Sequence, residues 1–180
     1  FLTKLCAAVK RKDRDAVIIG EVWEDASNKT AYSQRRRYLQ GHQLDSVMNY
    51  PLKDAIIAYI KDGDAVRIAS TMDWIMQNYP KHVTDCLMNI LGTHDTMRIL
   101  TVLGADNIPH DKESMSRFSL EPHQREQGKK KLMIAAALQF TLPGVPSVYY
   151  GDEAGMEGGA DPFNRACYPW GREDGELLLH

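Results

Sequence analysis

Apolar residues recur along the chain with two periods. Leu2, Leu5, Cys6 and Val9 fall at i, i+3, i+4 and i+7, which predicts a helix with one apolar face, ended by the charged patch Lys10 to Arg14. Ala16 to Gly20 is a short apolar run and predicts a strand, with Glu21 at its carboxyl end. Glu24 to Gly41 is polar and reads as a long connection, with a turn at Ser27-Asn28-Lys29. Gln43 to Tyr50 predicts a weaker strand closed by Pro51. Leu52, Ala55, Ile56, Tyr59 and Ile60 then give a helical period, stopped by Asp62-Gly63-Asp64. Met72, Ile75, Met76 and Tyr79 predict another helix, ended by Pro80. Leu87 to Leu91 reads as a strand buried on both faces, and it ends in the polar cluster Thr93-His94-Asp95.

Gly104 to Gly128 is polar and aperiodic and reads as a long loop. Lys129 to Leu142 is apolar on most sides and predicts a largely buried helix, terminated by Pro143-Gly144. Val145 to Tyr150 predicts the last strand, with Gly151-Asp152-Glu153 at its carboxyl end. Ala154 to His180 is glycine-rich and irregular. Strands alternating with helices imply parallel pairing through crossover helices, an α/β fold. Four such strands make half of an eight-stranded TIM barrel, which takes about 250 residues when complete.

Composition narrows the function classes. At 43% hydrophobic and 26% charged residues, the 180-residue chain has enough apolar material for a core. A net charge of -2 argues against nucleic acid as a partner. The Arg35-Arg36-Arg37 run reads as a solvated face rather than a phosphate contact. Cys6, Cys86 and Cys167 are odd in number and widely spaced, which disfavours a disulfide framework or a zinc site. Free thiols fit a reducing compartment, so a cytoplasmic location is expected. No apolar run is long enough for a transmembrane helix, so no membrane role is expected. Phe1-Leu2-Thr3-Lys4 is not a signal peptide; it reads as the interior of a longer sequence.

Two strands that each deliver a carboxylate at the same end suggest one shared site, because parallel α/β proteins place reactive groups there. Glu21 is the foremost catalytic candidate. Trp23 beside it is expected to keep the carboxyl partly desolvated, and desolvation favours the protonated form that can be given to a leaving oxygen. Asp95 is the second, since a carboxylate opposite a proton donor suits glycosidic cleavage, and His94 can hydrogen-bond a sugar hydroxyl. The plainer alternatives are a surface glutamate and a loop whose His-Asp pair is structural.

Gly20-Glu21-Val22-Trp23, Gly92-Thr93-His94-Asp95 and Gly144-Val-Pro-Ser-Val-Tyr-Tyr-Gly151-Asp-Glu153 resemble motif regions of the α-amylase family of glycoside hydrolases, in order and spacing as well as in residues. The closer resemblance is to the intracellular neopullulanase and cyclomaltodextrinase branch. It is carried by Gln43-Leu-Asp-Ser-Val-Met-Asn-Tyr-Pro51 and Leu91-Gly-Thr-His-Asp-Thr96, and overall it runs from Val17 to about Trp170. The resemblance implies a TIM (β/α)8 barrel and a retaining reaction on α-1,4 glucosidic bonds of maltodextrins, cyclodextrins or pullulan, with α-1,6 bonds left open. It implies Glu21 as the general acid/base and Asp95 as the residue that stabilises the oxocarbenium-like transition state. It implies His94 as a hydroxyl ligand, Trp23 as an aromatic that stacks on glucose, and Asp161 with Arg165 as the anchor of the non-reducing end.

One departure outweighs the matches. The family's nucleophile lies in a Gly-x-Arg-x-Asp context, and that motif does not occur in these residues. Thr93 also stands where much of the family has asparagine. Residues 1–180 are therefore expected to form the carboxyl-terminal half of the catalytic barrel. They would run from the helix before strand five to the segment after strand eight, supplying the acid/base without the nucleophile. Alone, this half is expected to be inactive and to self-associate through its open edges, most simply as a dimer. No metal or cofactor is indicated, calcium in a longer enzyme being left open. A carbohydrate-binding or scaffolding half-barrel without catalysis is the alternative. Transfer to a sugar hydroxyl in place of water is a further variant of the enzymatic reading.

Overall fold

The computed structural model describes residues 1–180, which divide into two compact units. The first comprises Phe1–Tyr59, Gly63–Asn89 and Thr141–Pro146, and the second Ile60–Asp62, Ile90–Phe140 and Ser147–His180.

The first unit holds α1 (Leu2–Lys12), β1 (Ile19–Gly20), β2 (Thr30–Ala31), β3 (Gln34–Arg35), β4 (Ser46–Val47), most of α2 (Tyr50–Asp62), α3 (Ala65–Asn78), α4 (Lys81–Thr84), β5 (Met88–Asn89) and β6 (Val145–Pro146). β1 pairs in parallel with β4, and β5 with β6. A parallel bridge between Met48 and Met88 joins the two pairs, so the strands run in the order β1–β4–β5–β6. All four expected strands are present, and the pairing is parallel as their spacing requires. Their ladders are shorter than the apolar runs. At one end of β1 the Ile18 N–H goes to the Asp45 carboxylate (2.7 Å) instead of to a backbone carbonyl. In β6, Pro146 has no N–H with which to extend pairing.

The second strand ends earlier than its apolar pattern suggests. Asn49 caps α2, its side-chain oxygen accepting from Leu52 N–H at 3.3 Å, so Tyr50 and Pro51 belong to the helix. Pro51 is thus a helix-start proline rather than a strand terminator. The Asn49 amide also donates to the Asn89 side-chain oxygen (2.9 Å), and the Asn89 amide donates to the Pro143 carbonyl (3.1 Å). This buried polar chain links the ends of β4 and β5 to the turn before β6. It also explains Gly144, which has a φ of 125° and leaves only 2.8 Å between a would-be Cβ and the Asn89 amide. Val47, Leu52, Ala55, Ile56, Ile75, Val83 and Leu87 form the apolar core around these strands. Burial pushes the Tyr79 phenol up to about 12, and its oxygen accepts the Ala26 N–H at 3.0 Å. The apolar stripe of α1 is only partly covered: Cys6 is buried but Leu5 is exposed.

The second unit contains α5 (Ile99–Gly104), α6 (Lys112–Ser116), most of α7 (Pro122–Thr141) and α8 (Gly175–Leu179). The polar stretch expected to be a long loop carries α6 and about the first two turns of α7. Asp111 caps α6 by accepting the Ser114 N–H at 2.8 Å, and Pro122 opens α7. The apolar period misses these turns because α7 begins with charged and amide side chains. What packs there is backbone: a Cβ on Gly128 would lie 3.0 Å from the Gly104 Cα, so two glycines let α5 and α7 approach closely. Nor is α7 buried on most sides. Ile134 and Phe140 are exposed, while Lys129 is buried and pairs with Asp174 (3.0 Å) and Glu176 (2.6 Å), tying α8 down. Leu132, Ala136, Val148 and Leu177 line an apolar cavity of about 440 Å³ in this unit. No helix is long and apolar enough to cross a membrane.

Candidate functional site

In the first unit, β1 delivers Glu21 to the carboxyl end of a parallel strand, where the sequence places it. Its carboxylate is exposed, contrary to the expectation that Trp23 desolvates it. The Trp23 ring stacks instead on Tyr50, with centroids 4.3 Å apart and planes 16° from parallel. Tyr50 is almost wholly buried at the first position of α2, and its hydroxyl donates to Glu21 Oε1 at 2.9 Å. One residue therefore orients both candidates, the carboxylate by a hydrogen bond and the indole by its ring face. The sequence reading missed it because the period placed Tyr50 at the end of a strand. The Asn-Tyr-Pro order, with a capping asparagine two residues before a proline, is the signal that could have found it.

In the second unit, the loop after β5 carries His94 and Asp95. The Thr93 N–H donates to Thr96 Oγ1 (2.8 Å) and the Asp95 N–H to Thr93 Oγ1 (3.2 Å), closing a tight polar turn. Asn164, fully buried, contacts three carbonyls through its amide nitrogen: His94 and Thr96 at 2.7 Å and Thr93 at 3.3 Å. Asn164 lies inside the Asp161-to-Arg165 stretch noted from sequence, but its own role was not visible there. Arg165 donates to Asp95 Oδ1 at 3.2 Å and, through Nε, to Asp161 Oδ1. His94 Nε2 lies 3.3 Å from Asp95 Oδ2. The structure thus joins His94, Asp95, Asp161 and Arg165 into one exposed polar group. His94 and Asp95 offer donor atoms of the kind that bind metals, but they already engage each other and Arg165.

Beneath this group lies Arg98, a residue the sequence did not single out. Its guanidinium donates to the Asn164 carbonyl (2.8 Å), to the Tyr150 carbonyl and to Asp152 Oδ1 (3.1 Å). Its guanidinium carbon lies 4.3 Å from the Tyr149 ring centroid and 4.6 Å from that of Tyr150. Burial pushes the Asp152 carboxyl up to about 7, although Arg98 pulls in the opposite direction. The folded chain then holds a proton at pH values where the unfolded chain has released it. The stability that this proton confers is present below the ordinary carboxyl range and is lost as pH rises towards 7. Asp152→Asn removes that dependence. Its stability relative to the parent should therefore rise from about pH 5 to about pH 8 in denaturant titrations. A difference that stays flat across this range contradicts the assignment.

Comparison with known proteins agrees with this architecture. Residues 1–175 match the family model described as the catalytic domain of α-amylase. The chain is 38% identical over 189 aligned positions to an amylopullulanase of Thermoanaerobacter thermohydrosulfuricus, covering 98% of this chain and 12% of that protein. It is 36% identical over 184 positions to a cyclomaltodextrinase of Geobacillus thermopakistaniensis, covering 100% of this chain and 26% of that protein. It spans about a quarter or less of the length of these relatives. Among solved structures, the cyclic α-maltosyl-(1→6)-maltose hydrolase of Arthrobacter globiformis in complex with maltose superposes with a TM-score of 0.77 at 30% identity, over 99% of this chain and 35% of that one. Parallel strand order and a family match over nearly the whole length converge: the chain belongs to the α-amylase catalytic-domain family.

Proposed function

We propose that these residues form strands five to eight of a (β/α)8 barrel in a retaining α-glucan hydrolase. Its substrates are maltodextrins, cyclodextrins or pullulan, and Glu21 is its general acid/base. In this reading a protonated Glu21 gives its proton to the glycosidic oxygen as the bond breaks. An aspartate outside these 180 residues takes up the anomeric carbon as a glycosyl ester. Glu21, now a carboxylate, then removes a proton from the water that releases the sugar with its configuration retained. Asp95 stabilises the positive charge that develops on the ring, and His94 binds a sugar hydroxyl. Trp23, itself stacked on Tyr50, stacks on a glucose unit, and Asp161 with Arg165 holds the non-reducing end of the chain. The observation that carries the reading is a glutamate at the carboxyl end of a parallel strand, held by the hydroxyl of a buried tyrosine.

Tyr50→Phe tests it in the longest protein that carries this sequence. The substitution keeps the ring on which Trp23 stacks and removes only the hydrogen bond to Glu21. The hydrogen bond aims the carboxyl at the scissile oxygen, and a neutral hydrogen bond contributes about 0.5–1.5 kcal/mol, so kcat on maltodextrin should fall by up to about tenfold while KM changes little. An unchanged kcat would show that the hydroxyl does not orient a catalytic carboxylate.

The same reading sets the behaviour of the 180-residue chain by itself. β1 and β6 are the outer strands of the parallel array; Ile19 and Val145 are exposed in them, as is Val17 just before β1. Unpaired strand edges with apolar side chains recruit further strands. A second copy of the chain, related by a two-fold axis, is the expected partner. Light scattering at micromolar concentration should give a mass above that of the monomer, and a clean monomer would contradict it.

A further inference from the structure

The Arg35-Arg36-Arg37 run reads from sequence as a solvated face, yet it lines a concavity in the first unit. That concavity has a volume of about 870 Å³, and Phe1, Leu2, Gln34, Tyr38, Gln40 and Gln43 share its wall with the three arginines. No carboxylate lines it. None of the chain's ion pairs engages any of the three guanidiniums. Three positive charges therefore border one hollow of a chain whose net charge is -2, and no carboxylate stands on its wall. The hairpin of β2 and β3 fixes two of them. Arg35 donates to the Ser27 carbonyl at 3.1 Å, and the Arg36 guanidinium carbon lies 5.4 Å from the Tyr32 ring centroid. The Arg36 backbone N–H donates to the Lys29 carbonyl at 2.7 Å. Its Nε is shut away from solvent with no acceptor.

We propose that this concavity binds a phosphate group, either free or carried as a monoester on a sugar. A guanidinium presents its donors as a rigid planar fork that fits two oxygens of one anion, and several forks suit a group with three acceptor oxygens. The three glutamine amides add donors and acceptors of the kind that bind sugar hydroxyls. The volume exceeds what a phosphate alone fills, which leaves room for an attached ring. None of the residues assigned to bond cleavage takes part, so failure of this site leaves the proposed function untouched, and the reverse holds too.

Isothermal titration at low salt with inorganic phosphate, glucose 6-phosphate and glucose tests the proposal. Phosphate and the sugar phosphate should bind, with affinity falling as salt rises, and glucose alone should not. Tighter binding of glucose 6-phosphate identifies the sugar-linked form as the ligand, and equal binding identifies free phosphate. The double variant Arg36→Gln/Arg37→Gln should weaken binding at least about tenfold, the effect of losing a charge-assisted hydrogen bond. Arg14→Gln removes an exposed positive charge elsewhere on the same unit and should leave affinity unchanged. Should the double variant fail to fold, phosphate titration of the parent chain should shift the side-chain amide resonances of Gln34, Gln40 and Gln43. Absence of phosphate binding, an equal loss in Arg14→Gln, or shifts confined to other residues overturns the proposal.

Discussion

Arg98→Met should destabilise the second unit by about 2–4 kcal/mol, because the acceptors around a buried guanidinium lose hydrogen bonds to a charged group, which contribute about 1.5–3 kcal/mol each. The Arg98 side chain is fully buried and that of Asp152 is 7% exposed. Methionine fills much of the same space but donates nothing. The carbonyls of Asn164 and Tyr150 lose their partner, and the buried one, that of Asn164, costs about 1–3 kcal/mol when left unpaired. Asp152 escapes the worst of it by keeping its proton, because burial already holds its carboxyl near 7. The damage should reach the loop after β5, since Asn164, which clamps the carbonyls of that loop, itself leans on Arg98. Asp161→Ala is the contrast. Its ion pair with Arg165 is half-exposed, and exposed pairs contribute about 0–1 kcal/mol. Denaturant midpoints of the two variants measure the difference. A loss for Arg98→Met no larger than that for Asp161→Ala would mean that the guanidinium does not support the loop.

The contrast also shows which parts of the molecule a one-dimensional reading reaches. Glu21, His94 and Asp95 are legible because each follows an apolar run, and a run followed by an acid is a pattern along the chain. Arg98, Asn164 and Tyr50 are not, because each acts across a distance the chain does not express: Arg98 and Asn164 are 66 residues apart, and Glu21 and Tyr50 are 29 apart. The four parallel strands are legible as apolar runs, but their ends are not. Side chains such as Asp45 and Asn49 take over backbone hydrogen bonds there, and apolarity says nothing about that exchange. The start of α7 is hidden for a related reason. Its first turns pack through backbone at Gly128 rather than through apolar side chains, so the helical period is silent where the helix is already present.

In the longest protein that carries this sequence, Glu21→Gln should lower kcat on maltodextrin by about 10²–10⁴, the usual contribution of a positioned general acid. Glutamine has nearly the shape of a protonated glutamic acid and can still accept from Tyr50, so the fold and the Trp23–Tyr50 stack should persist. What it cannot do is transfer a proton. A sugar alkoxide is a poor leaving group and needs that proton as the bond breaks. A leaving group that is stable as an anion does not. Substrate affinity should change little, because the proposed role places Glu21 on the scissile oxygen rather than on the sugar hydroxyls.

The most direct test of Glu21 as the proton donor is therefore a comparison of two substrates with Glu21→Gln. One is maltotriose, whose leaving group is a sugar, and the other is an α-maltosyl fluoride, whose leaving group needs no proton. The acid role predicts a loss of about 10²–10⁴ in glycosylation rate for maltotriose and a loss at least ten times smaller for the fluoride. Equal losses on both substrates would contradict it and would leave Glu21 as a binding residue.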